Sequence, residues 1–416
     1  MAVATFNLSR NVVWRLIVTL LAGQSIASLG MTAAITMGSI AVKPLFGTTA
    51  LAGVPTVMYV LGGALGAYQA GRLMNRYGRR FGLTLGFLVG ALGAATGAFA
   101  LIGLVPLALF VAHLFMGMSR GALDQGRYAA GDLVASEQRA RAIGWVVLGG
   151  TVGGIGGPLV IPLATRLATQ LSVNALAGPY LVAALLFVVG SAMIFAFLRP
   201  DPREIGRQLA RAFAASTVID NTPPRTFTQA LRSHNVQTAL AAMVLGQVVM
   251  TTVMVMTPLQ MTEHLHHTLD DVAWVIAAHV VGMYATSVIT GRVADRVGHA
   301  RTILVGAFLL IFSCVLAPFA TDTTRLAFAL FILGAGWNFC FVAGSSLLTD
   351  SLRPNERARI QGTNDLLVGL VAASGSLSSG FAFTTVGYVG IALAGILLAV
   401  ILFGVTLWSV RRKPAV

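Results

Sequence analysis

Twelve apolar stretches of roughly twenty residues or more, set apart by connections that hold most of the charge, constrain this chain more than any other feature. Hydrocarbon offers no partners to backbone N–H and C=O groups, so only helices and closed barrels can span it. Stretches of this length suit helices, which need ~20 residues to cross about 30 Å. They lie near 12–40, 50–71, 81–103, 105–130, 142–168 and 178–198, then near 235–262, 271–292, 301–320, 323–349, 361–384 and 387–409. Charged residues make up 10% of the chain, against about 25% in a soluble domain. The sequence therefore predicts an all-α membrane protein with 12 transmembrane helices arranged as six plus six. The first stretch exceeds the apolar core of a signal peptide and is expected to stay as a span.

The interval 199–233 contains Pro200, Pro202, Pro223 and Pro224. It reads as a cytoplasmic linker between an N-terminal six-helix bundle, 1–198, and a C-terminal one, 234–416. Within it, residues from about Arg203 to Ala215 suit either a short amphipathic helix on the anionic inner leaflet or a disordered tether.

Basic residues fix the orientation. The N-terminus and the even-numbered connections carry almost all of them, including Arg72, Arg76, Arg79, Arg80, Arg139, Arg141, Arg292, Arg296 and Arg301, whereas the odd-numbered connections hold Lys43, Arg166 and Arg325. By the positive-inside rule both termini are cytoplasmic. The net charge of +14 thus reports topology rather than a nucleic-acid partner, which would need the basic residues gathered on a soluble face. Six spans per half make the halves parallel, related by a pseudo-twofold axis along the membrane normal. Cys314 and Cys340 both lie in apolar stretches and form neither a disulfide framework nor a metal spacing. No cofactor and no metal are expected. The connection Glu263–Asp271 is rich in histidine but lacks a geometry-fixing spacing, and it reads as a solvated loop.

The halves share landmarks. Gly71-Arg72-Leu73-Met74-Asn75-Arg76-Tyr77-Gly78-Arg79-Arg80 recurs 220 positions later as Gly291-Arg292-Val293-Ala294-Asp295-Arg296-Val297-Gly298-His299-Ala300. Asp132 with Arg139 and Arg141 recurs 218 positions later as Asp350 with Arg357 and Arg359. Two landmarks at nearly one offset indicate a duplicated half.

These residues resemble the major facilitator superfamily, whose loop between spans two and three reads G-x-x-x-D-R-x-G-R-R. Gly71, Arg76, Gly78, Arg79 and Arg80 match it, and Gly291, Asp295, Arg296 and Gly298 match the partial copy after span eight. The resemblance implies the major facilitator fold and a cytoplasmic gate built from these residues with Asp132 and Asp350. Asn75 departs from the pattern by removing the first-copy acid. On the residues alone, the arginines also suit a purely topological role.

In span five, Gly144, Gly153, Gly157 and Pro158 reproduce a spacing that resembles the signature of drug:proton antiporters. The same glycines also suit plain helix packing. Span four carries His113, Gly117, Arg120, Asp124 and Arg127 along one helical stripe. Ionisable groups at such depth face a wet cavity or a partner, so Asp124, His113 and Arg120 are the proton-coupling candidates, with a structural Arg120–Asp124 pair as the other reading. Gln24, Ser28, Tyr59, Gln247, Met254, Trp337 and Asn338 are the substrate-cavity candidates. No metal triad, Ser-His-Asp set or phosphate loop lies at membrane depth, which argues against an enzyme.

The expected function is a secondary transporter. The first reading is proton-coupled efflux of a small lipophilic or drug-like molecule. The second, favoured by two arginines against one aspartate on span four, is transport of an organic anion or metabolite by symport, exchange or facilitated diffusion. The expected partners are the substrate, protons and the lipid bilayer. The chain is expected to work as a monomer in a bacterial cytoplasmic membrane.

Overall fold

Apolar helices gain no hydrophobic energy by meeting in hydrocarbon, so close backbone approach and polar contacts must hold them together. A computed structural model describes residues 10–47, 51, 54–214, 224–267 and 269–411, and its regular elements are all helical. They are α1 (Arg10–Phe46), α2 (Val54–Tyr77), α3 (Arg79–Ile102), α4 (Pro106–Leu123), α5 (Gly126–Gly131), α6 (Arg139–Gln170), α7 (Gly178–Phe197) and α8 (Pro202–Ala214), followed by α9 (Phe227–Ala230), α10 (His234–Leu259), α11 (Leu269–Tyr284), α12 (Ser287–Val297), α13 (His299–Leu316), α14 (Thr323–Asp350) and α15 (Arg357–Arg411). Short 3-10 or π turns join several of them.

Span four is broken between α4 and α5 at Asp124 and Gln125, and span eight between α11 and α12. The last two spans run together as α15, with a break at Gly387, where φ is 66°. Among the described residues nine spans are long and apolar enough to cross a membrane, and the bent α6 makes ten. The more polar α2 and the first limb of α15 complete the twelve.

The chain forms two compact units. One comprises Met1–Ala135, Gly149–Pro224 and Arg353–Gly369, the other Ser136–Leu148, Arg225–Leu352 and Leu370–Val416. Each unit therefore takes one segment from the other half of the sequence: the first turns of α15 belong with the N-terminal spans, and those of α6 with the C-terminal ones.

In the first unit, Gly62 and Gly66 lie against the backbone of Leu114 and Met118, while Gly117 and Gly121 lie against the carbonyls of Tyr59 and Gly63. Glycines on both helices let α2 and α4 touch backbone to backbone. The second unit repeats the device: Gly282, 220 positions beyond Gly62, meets the Phe331 carbonyl of α14, and Gly334 meets the His279 carbonyl of α11. The turns after α2 and α12 also match, because Gly78 and Gly298 adopt φ of 99° and 98°, a conformation that strains any residue with a Cβ.

Of the two readings for residues 203–215, a helix holds over Pro202–Ala214; residues 215–223 lie outside the described part. The Asp201 carboxylate begins this helix by accepting from the Arg203 N–H at 2.9 Å, and it also accepts from the Arg79 and Arg80 N–H groups that open α3.

Gly66→Ala forces a methyl into the Met118 backbone and is expected to destabilise the protein by about 1–3 kcal/mol, read as a fall in melting temperature. Gly404→Ala, whose new methyl meets nothing within 4 Å, should leave melting unchanged or slightly higher. Equal shifts for the two would contradict the packing argument.

Candidate functional site

The break after α4 exposes one charged pair and buries another. Arg120 Nε lies 3.4 Å from Asp124 Oδ2, with 50% and 38% of the two side chains exposed. Gln24 Nε2 of α1 donates to Asp124 Oδ1 at 3.4 Å, and the Arg120 guanidinium sits 5.5 Å from the Tyr59 ring centroid. So open a pair contributes little to stability. Its groups can exchange partners at small cost.

One turn on, Arg127 and Asp365 are 4% and 10% exposed, and their N–O distance is 2.5 Å. Arg127 also donates to the Asp124 carbonyl at 2.6 Å and to the Tyr128 hydroxyl at 2.9 Å. Asp365 Oδ1 accepts from Tyr128 at 3.3 Å and Asn364 at 3.1 Å, while its Oδ2 is buried without a hydrogen-bond donor. Sequence reasoning placed Arg127 on the span-four stripe but missed Asp365. The signal was there: a carboxylate inside an apolar span is itself a marker of function or pairing.

His113 is fully buried. Its Nδ1 lies 2.8 Å from the Leu109 carbonyl and its Nε2 3.5 Å from the Tyr180 hydroxyl of α7, while Gly38 of α1 packs against the ring. It shares no exposed surface with Arg120 and Asp124, and its contacts join α1, α4 and α7. Ser28 is also spent on packing, donating to the Ser25 and Gly149 carbonyls at 3.1 Å each. Gly153 and Gly157 face Ser28 and Thr32 of α1, and in the second unit Gly144 faces the Ser287 carbonyl. The Pro158 side chain lies outside the described part.

The second unit brings Trp337 and Gln247 together, with Nε1 donating to Oε1 at 2.9 Å. Gln247 Nε2 donates onward to Thr251 at 3.0 Å. Trp337 stacks on Phe341, centroids 4.6 Å apart, and meets Tyr284 edge-on at 6.0 Å. Met254 is half-buried farther along α10. Asn338 lies elsewhere: fully buried, it donates to the Met283 carbonyl and Ser287 Oγ at 2.6 and 2.7 Å and accepts from Thr290 at 2.7 Å, pinning the break between α11 and α12. His279 is likewise buried against the Leu330 carbonyl.

The motif residues form two networks. In the first unit Asp132 accepts from Arg79 Nε at 3.0 Å and lies 3.5 Å from Arg357 NH1, while Arg79 also donates to Gln361 at 2.7 Å. Asn75 borders the same small cleft, and Arg76 is exposed. In the second unit Asp350 pairs with Arg139 and with His299 Nε2, the latter at 2.8 Å. Asp295 accepts from the Ala140 and Arg141 N–H groups at 3.0 and 3.1 Å, capping the start of α6. Arg296 is exposed. No group of three or more acidic, histidine or cysteine side chains suited to a metal occurs among the described residues.

Twelve spanning helices from a doubled half, with an arginine–glycine turn in each copy, define a polytopic membrane carrier. The sequence model of the Major Facilitator Superfamily matches residues 20–260 and 238–416, and the chain belongs to that family. It is 34% identical to the uncharacterized MFS-type transporter YdeG of Bacillus subtilis over 389 residues, 91% of this chain and 88% of the relative. It is 30% identical to the riboflavin transporter RfnT of Brucella anthropi over 374 residues, 90% of each. The human organic anion transporter MFSD10 superposes with a TM-score of 0.76 over 95% of this chain and 99% of its own, at 16% identity, a likeness of fold.

Removing one member of the buried pair leaves the other charge uncompensated. Arg127→Met or Asp365→Leu alone is expected to cost about 3–5 kcal/mol, and the double variant clearly less than the sum. Thermal melting of the three purified proteins measures this, and additive losses would refute the pairing.

Proposed function

We propose that this transporter moves a small, flat organic metabolite bearing an anionic or strongly hydrogen-bonding group, by alternating access and with protons as the coupling ion. The observation that carries the reading is the exposed Arg120–Asp124 pair beside Gln24 and Tyr59, near the middle of the 26-residue span Pro106–Gly131. A guanidinium there can trade Asp124 for a carboxylate or phosphate of the substrate in bidentate geometry. The carboxylate it releases is then ready to take a proton. The second unit by itself holds an aromatic and amide cluster, Trp337 stacked on Phe341 and donating to Gln247. Similarity to a riboflavin transporter over 90% of the chain supports the same class.

Drug efflux, the first reading of the sequence, rested on the span-five spacing. Gly144, Gly153 and Gly157 are all accounted for by close helix packing, so that spacing adds no separate support for antiport. In this reading both termini are cytoplasmic, the motif networks around Asp132 and Asp350 form the cytoplasmic gate, and the chain works as a monomer in the inner membrane.

The test is uptake of riboflavin and of aromatic carboxylates into proteoliposomes with and without a pH gradient. Saturable, gradient-driven uptake is expected. Arg120→Gln should reduce it at least about tenfold, the loss of one charged contact, while Asp124→Asn should leave exchange but remove the gradient's effect. Full gradient-driven uptake by Asp124→Asn would rule out that carboxylate as the proton carrier.

A further inference from the structure

The two copies of the motif differ by one charge, and the copy that lacks it has a cleft at that place. In the second unit the Asp295 carboxylate accepts from the Ala140 and Arg141 N–H groups at the start of α6. The residue 220 positions before Asp295 is Asn75, and those 218 positions after Ala140 and Arg141 are Ala358 and Arg359, in the first turn of α15. Asn75 and Ala358 do come together in the first unit. They line one small cleft with Arg79, Asp132, Arg203 and Arg357, and Asp132 is the one acid among the residues that line it. A neutral amide thus stands where the second copy has a carboxylate, and three guanidiniums share a single counter-charge.

These cations are confined. Arg79 and Arg357 are 1% and 9% exposed, and both contact Asp132, at 3.0 and 3.5 Å. Arg203 NH1 donates to the Arg76 carbonyl at 3.2 Å, while its Nε is buried with no hydrogen-bond acceptor. Acids just outside the cleft are engaged with backbone: Asp201 accepts from the N–H groups of Arg79, Arg80 and Arg203, and Glu356 from that of Arg353 at 3.1 Å. Buried cations short of counter-charge are costly, and so is a buried donor without an acceptor. The free space between the side chains, about 10 Å³, suits one particle the size of a water molecule. Water would satisfy the Nε donor and leave the charge unbalanced.

We infer that this cleft binds one monatomic anion, chloride or another halide, between Arg203, Arg357 and Asn75, in place of the carboxylate that the second copy carries as Asp295. The Asn75 amide donates to the ion, Arg203 Nε gains its acceptor, and α2, α8 and the start of α15, all parts of one unit, are joined through it. Such a site needs neither a particular substrate nor a particular orientation.

The full chain in neutral detergent is melted in sodium chloride, bromide, gluconate and phosphate at one pH and matched ionic strength. Chloride and bromide should raise the melting temperature saturably above its value in gluconate, as a ligand of the folded state does, and phosphate should not. Asn75→Asp puts the charge on the protein, so it should melt higher than the parent in gluconate and lose the response to chloride. Arg203→Gln leaves both Asp132 contacts in place and keeps the test open if Asn75→Asp folds poorly. It should raise the half-saturating chloride concentration at least about fivefold, the loss of one charged contact. Arg325→Gln, an exposed arginine elsewhere, should behave as the parent does. In crystals grown with bromide, anomalous scattering should place the ion in the cleft. Equal melting in chloride and gluconate would leave the cleft to water and overturn the proposal. So would a chloride response undiminished in Asn75→Asp, which marks an adventitious ion only, or stabilisation by phosphate and not by halide.

Discussion

A missing methyl group holds each unit together. Gly71 lies against the Ala358 carbonyl and the Gly362 backbone, and Gly291 lies against the Ala140 carbonyl and the Arg141 backbone. At either place a Cβ would force the helices apart. The first contact keeps Arg353–Gly369 with the N-terminal spans, and the second keeps Ser136–Leu148 with the C-terminal ones. The charged networks depend on the same approach: Arg357 can reach Asp132, and Asp295 can cap α6, because those backbones come so near. Glycine sets the distance and the ion pairs then fix the register.

Much of this was legible in the sequence, for identifiable reasons. Span lengths follow from hydrocarbon thickness, and the doubled motif exposed the duplication, because a tight turn with φ near +98° keeps its glycine in both copies. Exchange of segments between the units could not be read, since it depends on which backbone a glycine touches rather than on where the glycine stands. His113 is a related case. Helical spacing places it on the Arg120 stripe, but only packing reveals that α1 and α7 close over it. Asp365 went unnoticed because its partner lies 238 positions away, beyond any local pattern.

The two charged pairs of the first unit divide their work by burial. Arg127 and Asp365 are buried and mutually bound, so separating them is expensive and they serve to hold α5 against the first turns of α15. Arg120 and Asp124 sit one turn earlier and are 50% and 38% exposed, and a pair so open binds weakly and can be redirected to a ligand. The carbonyl of Asp124 is itself held by Arg127, so the rigid pair positions the exchangeable one. In the second unit the equivalent stretch of α14 carries no charge and offers Trp337 and Phe341 instead. Duplication supplied two like scaffolds, and divergence gave one a charged pair and the other a stacked pair of rings.

The motif networks diverged as well, and the difference has a direction. Arg79 holds Asp132 in the first unit; its counterpart by offset is His299, which contacts Asp350. The first network has two arginines on its aspartate and an uncharged Asn75 beside them. The second relies on Arg139 for its fixed charge and on Asp295 at the start of α6 for the contact that Asn75 no longer makes as an anion. The Arg79–Asp132 pair is buried and so is screened little by salt, and the guanidinium on Asp132 is matched in the second unit by an imidazole on Asp350. Two copies of one motif have come to hold their aspartates with different side chains.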